Sequence, residues 1–284
     1  MPALTLLWHG VWEIAMELPR QACLDALNRE PPAVFEAALW IAAEHDLTFQ
    51  PEMAQHLLTD LIPSVEAAID HQGSSAERAQ QLVRRMIELG FHADDWPLKP
   101  QAALLHKVLA RRRGQPLSLS LIAMELARRL DIPLVGVNFP GHFLLRVPEA
   151  DHLLDPTSGR RLYSKDCRGL LAYQFGPHAQ LQAQHLRTAQ PRELLQRLSR
   201  NLRQLHEFDN QLLAALKDAQ RVLEVGPPSV SDHLARAELY SRLDCPQAQR
   251  YDLEHALLLS DDPAEQLHLS RRLAALSDSR RRLH

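Results

Sequence analysis

The chain has 284 residues, enough for about two domains, and its 32 basic and 35 acidic side chains give a formal net charge of −3. That near-balance excludes a nucleic-acid binder working by bulk positive charge, and 45% hydrophobic with 24% charged residues excludes a disordered chain. Ten glycines against 19 prolines, with only 5% aromatics, point to a mainly helical chain with prolines at its joints.

The three cysteines, Cys23, Cys167 and Cys245, are odd in number and widely spaced. They offer neither a disulfide framework nor a zinc spacing, which predicts a reducing, cytoplasmic setting and no metal. The N-terminus starts apolar, but it has no Lys or Arg before Arg20, and His9 and Glu13 interrupt it. It therefore lacks the form of a secretory signal, and no window reaches the roughly 18–20 apolar residues of a membrane span. Residues 1–19 read as an N-terminal extension, with Met16 an alternative start.

Residues 20–98 read as helices. Val34, Ala38, Leu39 and Ala42 recur at three- and four-residue steps, the mark of one apolar face. Pro31-Pro32 and Pro51 mark helix starts, Ser64 to Ile69 and Ala76 to Leu89 continue the pattern, and Gly90 ends it. Residues 99–188 change character. Leu104 to Arg113 and Leu117 to Leu130 are helical, with the joint Gly114-Gln115-Pro116 between them. Three strand-like runs follow: Pro133 to Phe139, His142 to Val147 after the turn signal Pro140-Gly141, and His152 to Asp155, closed by Pro156-Thr157-Ser158-Gly159. Helices followed by antiparallel strands make an α+β layout.

Residues 189–284 are helical again and repeat. Gln196–Ser229 aligns with Val230–Pro263 at a 34-residue step, pairing Leu205 with Leu239, Ala219 with Leu253, Val222 with Ala256, and Leu223 with Leu257. A helix-turn-helix period of 34 is the tetratricopeptide signature, with a non-repetitive bundle as the alternative.

The chemistry concentrates between Val108 and Gly159. A helix start near Pro116, His142 on one strand and Asp155 at the end of the next match the order of a Cys-His-Asp acyl-transfer site. There a thiol sits at a helix N-terminus, a histidine acts as base and an aspartate orients it. The strings R-R-x-G-x-P-L-S-L-S-L from Arg111, G-V-N-F-P-G-H-F-L-L-R (Gly136 to Arg146) and D-P-T-S-G (Asp155 to Gly159) resemble the SirB-one family. That resemblance implies a helical N-terminal segment, a small transglutaminase-like (papain-like) core with antiparallel strands, and C-terminal tetratricopeptide-like repeats. It places His142 and Asp155 on the family's base and orienter, and Pro116 on its cysteine. Relatives carry asparagines where this chain has Ala102 and His106.

Proline has no nucleophilic atom, so the pattern implies a triad remnant of structural use, with His142 and Asp155 hydrogen-bonded to each other and facing Pro116. The alternative is a hydrolase or acyl transferase that uses Ser118 or Ser120 with His142 and Asp155. Helix geometry turns Ser118 about 200° away from Pro116 and sets Ser120 about 6 Å along the axis. His178 and His185 carry no convincing ligand spacing, so no cofactor is expected. The runs Arg111–Arg113 and Arg280–Arg282 read as solvated or dipole-matching faces, and Cys167 as a small hydrophobe. The expected partner is a protein or peptide bound by the repeats, with neither nucleic acid nor membrane.

Overall fold

The computed structural model describes residues 18–281. Most of the expected N-terminal extension and the side chains of Arg280–Arg282 lie outside the described residues. The chain forms two compact units that divide at Leu194/Leu195, so residues 20–98 and 99–188 share one unit.

The first unit opens with five helices: α1 (18–27), α2 (Val34–His45), α3 (Pro51–Glu66), α4 (Ser75–Glu88) and α5 (Leu105–Arg111). Pro51 starts α3, as the missing N–H of proline allows. A capping box starts α4: Ser74 Oγ accepts from Glu77 N–H at 3.3 Å, and Glu77 accepts from Ser74 N–H at 2.9 Å. Gly90, at φ +95°, ends it with the paired bonds Gly90 N–H to Ile87 O and Phe91 N–H to Met86 O.

Two short strands, β1 (His92–Ala93) and β2 (Arg113–Gly114), pair in parallel. Nothing in two residues of each signals a strand. The partner lies on the far side of α5, and the pairing is long-range. Here the arginine run has specific uses. Arg111 forks onto Asp94 at 2.8 and 2.9 Å, Arg112 takes the left-handed conformation that ends α5 and stands over the Phe91 ring, and Arg113 lies 3.7 Å from Asp95.

Helix α6 (Pro116–Arg129) is central. Leu117, Leu119, Leu121, Ile122, Ala123, Leu126 and Ala127 are buried around its girth, as befits a helix packed on several sides. It packs against α2 to α5 and against the sheet. That sheet is an antiparallel meander of β3 (Val135–Val137), β4 (Leu144–Arg146), β5 (Leu153–Leu154) and β6 (Arg161–Leu162), in chain order. Helix α7 (Ser164–Phe175) then packs Cys167 and Leu171 onto Val137, Phe139, Leu144, Leu153 and Leu162. Cys167 is thus the small hydrophobe expected. Neither β6 nor α7 was evident in the sequence.

The second unit begins within α8 (Pro191–Phe208) and continues through α9 (Leu212–Val225), α10 (Val230–Arg242), α11 (Pro246–Leu259) and α12 (Pro263–Arg281). The 34-residue step maps both ends of α9 onto the ends of α11 and the end of α8 onto the end of α10. It also maps the left-handed Asn210 (φ 57°) onto the left-handed Asp244 (φ 55°). Leu205, Leu239, Ala219, Leu253, Val222 and Ala256 are all buried.

One buried aspartate recurs at the same step. Asp218 accepts from Arg221 at 2.8 Å and lies 2.7 Å from His206 Nδ1. Asp252, 34 residues on, accepts from Arg236 Nε and Nη2 at 2.8 Å and lies 2.8 Å from His233 Nδ1. Both carboxylates are fully buried, and each tethers two helices of its pair.

Candidate functional site

The start of α6 is built by the turn before it. Gln115, the capping residue, donates its N–H to Ala102 O at 2.7 Å, tying the helix start to the 3-10 turn Pro100–Ala102. Gly114 is needed because a Cβ there would lie 2.7 and 2.9 Å from the two Val108 methyls and 3.1 Å from Ala102 O. Pro116 follows as the first helical residue, exposed and without a nucleophilic atom.

Both candidate serines are fully buried and bonded to backbone. Ser118 Oγ donates to Ala103 O at 3.2 Å, and Ser120 Oγ donates to Pro116 O at 2.8 Å, one turn back along the helix. Neither is bonded to His142. The Ser120 bond is the local one that helical serines commonly make, whereas Ser118 reaches the carbonyl just past the 3-10 turn.

His142 lies just ahead of β4, in a turn, and not in the strand expected there. Its N–H donates to Phe139 O at 3.0 Å, with Pro140 and the left-handed Gly141 (φ +73°) between. These are the features of a type II turn, which demands glycine or asparagine at its third position. The imidazole stands 6.4 Å, centroid to centroid, from the Phe139 ring, and its Nε2 is buried with no hydrogen-bond partner.

Asp155, just past β5, is not that partner, which corrects the expected His142–Asp155 pair. Asp155 accepts from Thr157 N–H at 2.8 Å, Thr157 Oγ1 at 2.7 Å and Ser158 Oγ at 2.8 Å. Its carboxylate organises its own turn, as aspartates two residues ahead of an N–H commonly do. Gly159 (φ +63°) closes that turn with an N–H bond to Asp155 O, and Gln80 of α4 donates to Gly159 O.

This geometry reorders the effect of two substitutions. Asp155→Ala breaks three bonds inside a turn and should lower stability by about 1–3 kcal/mol. His142→Ala deprives no side chain of a partner, so its loss should stay under about 1 kcal/mol. Chemical denaturation of the two variants beside the parent chain ranks them; a His142 variant less stable than the Asp155 variant contradicts the assignment.

Two other histidines have polar partners. His106 lies 3.3 Å from Asp46 through Nε2 and stacks on Phe49 at 4.3 Å. Burial and the Lys107 ammonium push its pKa down, against the pull of Asp46, so the ring is neutral near pH 7. His185 Nδ1 accepts the Gln182 N–H at 3.2 Å, while His178 is exposed. Sequence reasoning passed over Arg146 and His152, two polar side chains flanking the buried Leu144, Leu145, Leu153 and Leu154. Their place beside these buried strand residues was the available signal.

An α6 start, a turn histidine and an antiparallel meander define a transglutaminase-like core, and residues 52–200 match the model of the Transglutaminase-like superfamily. Among relatives, a UPF0162 protein of Pseudomonas aeruginosa is 65% identical over 91% of this chain and 96% of its own length. A UPF0162 protein of Xylella fastidiosa strain Temecula1 is 34% identical over 85% of this chain and 89% of its own. Protein SirB1 of Salmonella typhimurium is 27% identical over 74% and 80%. The chain belongs to the UPF0162 family of transglutaminase-like proteins, the one that includes SirB1.

Proposed function

We propose that the chain is a non-catalytic transglutaminase-like protein that works in the cytoplasm as a binding or scaffold module, its tetratricopeptide-like repeats receiving a protein or peptide partner. The observation that carries this reading is Pro116 at the start of α6, where the family resemblance puts a cysteine, with Ser118 and Ser120 bonded to backbone carbonyls. A site without a nucleophile performs no acyl transfer, however its histidine is placed. The regular pairing of α8 to α11 supports the binding role, since stacked helix pairs commonly present an extended surface to a partner. Leu213 on α9 and Leu258 on α11 are large, exposed apolar side chains on those helices. Three free thiols are consistent with a reducing compartment, and among the described residues no helix is long and apolar enough to cross a membrane.

The test is photo-crosslinking in cells, with a photoreactive amino acid in the full chain at Leu213 or Leu258 and, as a control, at Trp96 in the first unit. The reading expects a discrete adduct from the repeat positions and none from Trp96. Adducts from Trp96 alone, or from no position, overturn it.

A further inference from the structure

On the reading that the repeats receive a protein or peptide partner, on which this step rests, we infer that the outer face of α12 docks an amphipathic helix of that partner. The docked helix carries a carboxylate beside its apolar stripe.

The 34-residue step extends to α12. Leu239 of α10 packs with Ala215 and Ala219 of α9, the last helix of the pair before it. One step on, Leu273 of α12 packs in the cluster of Leu253 and Ala256 of α11, together with the buried Leu269. Helix α12 thus stands to α11 as α10 stands to α9, and it is the first helix of a third pair.

Helix α10 turns a second face to α11, its own pair partner. His233 and Arg236 meet Asp252 at 2.8 Å, Ala237 shares a core cluster with Leu253 and Ala256, and the Tyr240 ring lies under the Arg236 guanidinium. The same step carries these four positions onto Leu267, Ser270, Arg271 and Ala274 of α12. All four are exposed, Leu267 by 53%. On α12 the face that α10 uses to hold α11 is therefore open.

What covers this face on α10 is a helix, with Leu253 and Ala256 on its apolar side and Asp252 as its carboxylate. Helix α12 offers the counterparts. Leu267, Arg271 and Ala274 follow at steps of four and three, so they form one stripe of the kind a docked helix reads. Arg271, in the middle of that stripe, has no ion pair or hydrogen bond among the described residues. A free cation between apolar side chains selects a partner with an acidic group opposite it. It also disfavours a second copy of this chain, because two-fold pairing through the stripe would set Arg271 against itself.

The probe is a fluorescein-labelled peptide of the α11 sequence, Pro246–Leu259, which carries Asp252, Leu253 and Ala256. A covalent side-chain bridge between positions 250 and 254, where the chain itself pairs Arg250 with Glu254 at 2.7 Å, holds it helical. Anisotropy on titration with the full chain is the readout, and saturable binding is expected. Arg271→Glu and Leu267→Asp should each weaken it roughly tenfold or more, and a peptide with Asp252→Arg should prefer the Arg271→Glu chain. Both positions are exposed, so both variants keep the fold. An absence of saturable binding, or equal binding by the parent and the two variants, overturns the site. A dimer of the parent chain in sedimentation that Arg271→Glu abolishes gives the face to a second copy and also overturns it. An adduct in cells at Leu213 or Leu258 without peptide binding leaves the repeats as a binding module and overturns the α12 face alone.

Discussion

Asp252→Ala is expected to lower the stability of the repeat helices by about 3–5 kcal/mol, the range for removing one member of a buried ion pair. Asp252 is fully buried, accepts both Nε and Nη2 of Arg236, and lies 2.8 Å from His233 Nδ1. Alanine leaves a partly buried guanidinium and a buried imidazole facing an empty space. Asp218→Ala should act similarly, because Arg221 beside it is fully buried. The informative control removes both charges. Asp252→Leu with Arg236→Met should recover much of the loss, since a buried pair replaced together by apolar groups is often neutral. Urea midpoints of the three proteins provide the comparison. A double variant no more stable than Asp252→Ala would show that packing, not the unpaired charge, sets the effect.

Gly114→Ala is the second substitution with a large expected effect. The new methyl meets two Val108 methyls at 2.7 and 2.9 Å and a backbone carbonyl at 3.1 Å. Val108 is fully buried and, being β-branched, has little rotamer freedom with which to move aside. Overpacking of this kind costs typically about 1–3 kcal/mol, and here it also pushes α5 away from the turn that sets the start of α6. Gly169→Ala is the matched control, because nothing lies within 4 Å of a Cβ there. Thermal unfolding should separate the two clearly, and equal melting temperatures would contradict the packing at Gly114.

The order of helix start, histidine and aspartate was legible in the sequence, and so was the 34-residue step. Both rest on strong local signals: Pro116, the Pro140-Gly141 turn and apolar positions that recur along the helices. The relation between His142 and Asp155 was not legible. D-P-T-S-G contains a hydroxyl two and three residues after the aspartate, so the chain satisfies Asp155 locally before any distant histidine can compete. The β1–β2 pair escaped notice because its partners are 21 residues apart in sequence with a helix between them. The buried aspartates were hidden for a different reason. A charged residue on an amphipathic helix reads as solvent-facing, and only the docking of its partner helix reveals Asp218 and Asp252 as core.

The central claim is that this transglutaminase-like core does no acyl chemistry. It is tested most directly by exposing the intact protein to a serine-reactive fluorophosphonate and reading its mass and the modified residue. The account predicts no adduct on Ser118 or Ser120, in the parent chain or in His142→Ala, because both hydroxyls are buried and bonded to carbonyls. An adduct on either serine that disappears in His142→Ala would contradict it and would make the chain a hydrolase.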